Sequence, residues 1–126
     1  MKKVLVPVAV LILVGTASWT QNETGSAYWL HDCWLAFERV QNNTVNQFNA
    51  VADANHAGQF IGFGQAMEEL ALTPVGGGKT MVPNIPNVVT LGQICAIIGK
   101  YLDAHPEQWS YPALPVCLMA LNNAWP

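Results

Sequence analysis

The stretch VVTLGQICAIIGKYLDAHPEQWSYPALPVCLMALNNAWP, residues 88–126, decides the fold, because it reads as two helices joined by a proline-marked turn. Thr90 stands where an N-cap belongs, and Gln93, three residues on, can reach back as the second half of a capping box. From there Leu91, Ile94, Cys95, Ile98, Tyr101 and Leu102 recur at steps of three and four, leaving Gln93, Lys100 and Asp103 off the stripe. His105-Pro106 ends this helix, since proline lacks a donor and biases its predecessor away from helical backbone. The next helix starts between Ser110 and Leu114, with Pro112 and Pro115 tolerated only in its first turn, where backbone N–H groups are unpaired anyway. Leu114, Cys117, Leu118, Leu121, Ala124 and Trp125 form its apolar face, which is expected to pack on the first stripe.

Two more helices are expected upstream. Residues 28–40 place Trp29, Cys33, Ala36, Phe37 and Val40 at helical spacing, widened by Leu30 and Trp34, so this helix is either central or meets a second subunit. Residues 45–72 form the longest helix, along which Ala50, Ala54, Gly58, Gly62 and Ala66 fall every fourth residue. Such a line of small side chains lets another backbone approach closely. Packing within the same chain is the favoured reading, a dimer seam the alternative, and the surrounding asparagines and glutamines exclude a bilayer setting. Residues 73–87, TPVGGGKTMVPNIPN, are expected to be a loop without helix or strand. Its GGGKT is not a phosphate-binding loop: that motif needs glycine where Thr73 stands and a helix starting at the Lys-Thr, which Pro83 and Pro86 prevent.

The chain opens MKKVLVPVAVLILVGTAS, two lysines, an apolar run and small residues, the form of a cleaved secretory signal peptide over residues 1–18, leaving one domain over 19–126. The run is shorter than the roughly 20 apolar residues of a membrane span, so no membrane association is expected after cleavage. Residues 19–126 retain Arg39, Lys79 and Lys100 against eight acidic residues, a formal charge of −5. Nucleic acid is therefore a poor partner, because binding it rests on neutralising phosphates with lysine and arginine. A basic protein is a better one.

No active site is legible. His31, His56 and His105 lack a second ligand at metal-binding spacing and read as surface or capping residues; no metal and no cofactor is implied. The members of His31-Asp32-Cys33 diverge around a helix, as do Glu68 and Glu69. Export permits a Cys95–Cys117 disulfide across the last two helices, leaving Cys33 over; the alternative is buried thiols acting as small apolar side chains.

The residues VTLGQ, KYLDAHPE, the Pro-Ala of residues 112–113 and LxxALNNAWP together resemble the C-terminal signature of the Rap/Tai family of immunity proteins, which protect bacteria from type VI secreted peptidoglycan amidases. The resemblance covers roughly the last third of the chain, and QFIGFG is loosely similar to the family's glycine-bearing helix. It implies an all-α protein, a small bundle of about four helices with a C-terminal helical hairpin, that forms a homodimer. It also implies a non-enzymatic periplasmic inhibitor that blocks an amidase's active site. Family cysteines often precede the Ile-Pro of the loop, where Asn84 stands here, and occur near Ala57, so the family's covalent framework does not carry over. A periplasmic acid-stress chaperone is the alternative; with 10% charged residues and 52% hydrophobic ones, the chain offers it few carboxylates as a trigger. An inhibitor without chemistry must fill a cleft, and the expected surface is the loop, with Gly76, Gly77 and Gly78 for close approach and Lys79 and Met81 as tips. The turn over residues 104–111, with Trp109 and Tyr111 as aromatic anchors, is the competing surface.

Overall fold

The computed structural model describes residues 25–126. The expected signal peptide over residues 1–18 lies outside them. Four helices follow one another: α1 (Ala27–Gln41), α2 (Ala50–Ala71), α3 (Leu91–Ala104) and α4 (Ala113–Ala124). A 3-10 turn, Pro106–Gln108, precedes α4. The expected helical bundle is therefore present, with one addition. Strands β1 (Pro74–Gly76) and β2 (Lys79–Thr80) pair antiparallel inside the segment expected to hold neither helix nor strand. The glycines that argued against a strand are what permits it: Gly77 and Gly78, at φ 62° and 73°, supply the two successive positive φ values that a two-residue hairpin turn needs.

α1 is central, packing on α2, α3 and α4. Ser26 caps it by accepting the Trp29 N–H, and Leu30, Cys33, Trp34 and Ala36 are buried. α2 starts at Ala50 rather than near Val45, because Asn46 draws the Phe48 N–H to its own side chain (2.9 Å) and folds the chain into a turn instead. It then runs unbroken past its glycines. Its buried face is Asp53, Ala57, Phe60, Gly64, Met67 and Ala71. The small-residue line of Ala50, Ala54, Gly58, Gly62 and Ala66 lies on the opposite, exposed face, so the expected packing within the chain is overturned. A methyl group at Gly58 or Gly62 would meet nothing within 4 Å.

The α3 capping box forms as expected: Thr90 Oγ1 accepts from Gln93 N–H (3.2 Å) and Gln93 Oε1 from Thr90 N–H (2.9 Å). Ile94, Cys95, Ile98, Gly99 and Leu102 face the core, and His105 follows the last turn with Nδ1 2.8 Å from the Tyr101 carbonyl. Pro112 occupies the α4 N-cap and Pro115 its first turn. α4 buries Ala113, Val116, Cys117, Ala120 and Leu121 against α1, α2 and α3, whereas Leu114 and Ala124, expected on that face, are exposed. All three cysteines are buried free thiols in this structure, and the expected Cys95–Cys117 disulfide is not formed in it.

Candidate partner-binding site

The hairpin rises from the end of α2 and turns back within seven residues. Its stem is fixed by main-chain bonds, Met81 N–H to the Thr73 carbonyl and Val82 N–H to the Ala71 carbonyl, both 3.0 Å, and by Thr80 Oγ1 donating to the Val82 carbonyl at 2.9 Å. Val82 is the anchor, with no exposed surface at all. Everything from Thr73 to Lys79 is exposed. Gly76, Gly77 and Gly78 form the tip, all at positive φ, with Val75 and Lys79 on either side. Met81 belongs to the stem and is half-buried.

Trp109 and Tyr111 do not join this surface. The hairpin limb leads into the N-terminal end of α3, while the turn follows its C-terminal end, and a 14-residue helix separates them by about 21 Å. Trp109 is also committed to the fold. Its Nε1–H donates to the Leu102 carbonyl (2.8 Å), its ring stacks on His31 at 4.1 Å, and Tyr28 meets it edge-on. Its backbone carbonyl accepts the Tyr28 N–H, as that of Tyr111 accepts the Ala27 N–H. Only the Tyr111 ring is offered to solvent.

That turn rests on a polar node the sequence did not reveal. His31, expected at the surface, is buried with Nε2 2.8 Å from Asp103 Oδ1, and Trp34 Nε1–H donates to the other carboxylate oxygen at 3.0 Å. The signal was present in the spacing: His31 and Trp34, three apart on α1, share a face and reach the same acceptor. Asp103 was set aside because it lies off the apolar stripe of α3.

No cluster of three or more His, Cys, Asp or Glu among the described residues could hold a metal ion. Burial, and secondarily the charge of Asp32, pushes the Cys33 thiol up to about 12, and its Sγ faces Gln59 Oε1 at 3.8 Å. Burial alone raises Cys95 and Cys117. Depressions mark the surface of the described residues. One of about 420 Å³ is lined by Gln65, Glu68, Glu69 and Leu72, and one of about 300 Å³ lies between α3 and α4, bordered by Lys100 and Asn123.

Residues 27–126, from the first residue of α1 onward, match the family model of the Rap1a immunity proteins. The chain belongs to the Rap1a immunity protein family. The match extends well beyond the last third on which the signature residues lie and takes in all four helices. No curated protein and no solved structure matches the chain. Membership in a Rap1a immunity family implies a cognate effector as partner. Among the described residues of this Rap1a protein, no helix is long and apolar enough to cross a membrane.

Proposed function

We propose that this chain is an exported, periplasmic immunity protein that binds a type VI secreted peptidoglycan amidase and inhibits it by occluding its active site, without chemistry of its own. Residues 19–126 are the mature unit. The supporting observation is the family match joined to a projecting, glycine-tipped hairpin on a helical frame. Gly76, Gly77, Gly78 and Lys79 enter the cleft and Met81 supports them from the stem. The stem's main-chain bonds fix the hairpin before binding, which lowers the ordering cost of association. The open face of α2, with Val51 82% exposed beside the small-residue line, is where two copies of the chain would meet as a homodimer.

The test measures peptidoglycan hydrolysis by a candidate secreted amidase, with and without the purified mature chain at neutral pH. Residues 76–81 are replaced by a serine-glycine segment of equal length. Tyr111→Ala serves as the control at the other end of α3, because Trp109 is too embedded for a change there to report on binding alone. Inhibition lost in the segment variant and kept in Tyr111→Ala supports the hairpin. The reverse pattern transfers the role to the turn. Protection of unfolded clients at low pH, without inhibition of any amidase, would favour the chaperone reading instead.

A further inference from the structure

Beyond its stem the hairpin continues into a limb, residues 83–89, that connects it to α3. Ile85 and Val89 pack this limb against the core, but its main chain is sparsely bonded. Pro83 and Pro86 have no N–H to donate, and the Ile85 N–H turns back on the Val82 carbonyl at 3.3 Å. One side-chain hydrogen bond ties it to a distant element: Asn84 Nδ2 donates to the main-chain oxygen of Pro126 at 2.7 Å, joining residues 42 apart in sequence. The acceptor is itself fixed, because the Trp125 side chain packs on the core and its N–H donates to the Leu121 carbonyl at 3.1 Å. The limb is thus moored to the end of α4.

We infer that Asn84 is a positioning residue for the hairpin, its side chain holding the limb on Pro126 and thereby setting the direction in which residues 74–80 project. The inference rests on the hairpin being the surface that meets the effector. Asn84 is exposed, so its loss leaves the helices and the core contacts of Val82, Ile85 and Val89 in place while freeing the limb between them from Pro126. Binding then weakens by the fraction of molecules whose hairpin points correctly, since an apparent dissociation constant rises as the competent population falls.

The experiment uses the mature chain with Asn84→Ala and, separately, Asn84→Asp, which keeps the side chain's size and removes the donor. Amide hydrogen exchange is followed along the chain, together with the thermal midpoint and the affinity for the inhibited amidase. The expected result is exchange at residues 75–82 faster by roughly three- to tenfold in both variants, a comparable loss of affinity, and α3 amides and midpoint near those of the parent. Unchanged exchange at residues 75–82 overturns the inference. So does a uniform acceleration through all four helices, which would make Asn84 a stability residue only. Faster hairpin exchange with unchanged affinity overturns the positioning role if the residue 76–81 replacement still abolishes binding. If that replacement also binds normally, the hairpin reading falls and takes the inference with it.

Discussion

Gly99 lies beneath the Trp34 ring system, so close that a methyl group there would overlap the indole. Trp34 is held from its other end by Asp103 and cannot simply swing away. Gly99→Ala is therefore expected to destabilise the fold by about 1–3 kcal/mol, as overpacking does, read as a lower midpoint in thermal or urea unfolding. Gly64 is a milder case, its added methyl meeting the Cys95 sulfur at 2.7 Å. The cysteines give a second expectation at this scale. Burial keeps all three thiols protonated at neutral pH, and only the thiolate reacts. A thiol reagent should label none of them in the native protein within the time it takes to label all three in denaturant. Rapid native labelling of Cys33 would contradict its buried setting. The glycines that matter to the core were not the ones that drew notice in the sequence. Gly58 and Gly62 stood out by their regular spacing, but spacing alone does not say which face of a helix is inside. Gly64 and Gly99 lie against side chains of a neighbouring helix, Cys95 and Leu91 for the one and Trp34 for the other, information that no single helix carries.

At the scale of elements, α2 is the helix whose sequence and surroundings disagree most. Its inner face fills the core with Phe60 and Met67, while its outer face carries Val51, Ala54, Gly58 and Gly62 in the open. In the isolated subunit Gly58→Ala and Gly62→Ala should each stabilise by up to about 1 kcal/mol, because alanine is the better helix former and no neighbour objects. Gly62→Leu should keep the fold and abolish dimers if two α2 faces meet there. Light scattering after size exclusion reads both, and a dimer untouched by Gly62→Leu would place the seam elsewhere. The α3 capping box and the proline-led start of α4 were legible because each depends on residues within a few positions. The start of α2 was misjudged because apolar spacing continued where Asn46 had already captured the backbone. Asn84 was legible only as the position where the family resemblance led us to expect a cysteine. Its tie to Pro126 spans the whole of α3 and α4 and the turn between them, and nothing local announces it.

For the molecule as a whole, one ion pair closes the corner between α1 and α2. Arg39 donates through Nε and Nη2 to both oxygens of Asp53, at 2.8 and 2.9 Å. The Arg39 hydrogen bond holds the Asp53 carboxyl below its usual range, against the opposing effect of burial. A depressed carboxylate contributes stability above its unfolded pKa, about 4, and loses it as pH falls through the lower folded value. The gap in urea midpoint between the parent and Asp53→Asn is therefore expected to be constant from about pH 7 to 5 and to shrink below about pH 4. A gap that narrows already near neutrality would point to a different titrating partner. The fold class was readable because four amphipathic segments must bury their stripes on one another. The hairpin was not, because a two-residue turn depends on backbone angles rather than on pattern. That hairpin has a bearing on how such a protein diverges. Every residue from Thr73 to Lys79 is exposed, and the segment is moored by Val82 and the end of α2, outside its own tip. Substitutions along the tip meet no core neighbour that would select against them, so, if the hairpin meets the effector as proposed, recognition can be rewritten in a handful of positions while the helices stay under their own, separate constraint. On that proposal, an immunity protein can change its grip on an effector without having to learn again how to fold.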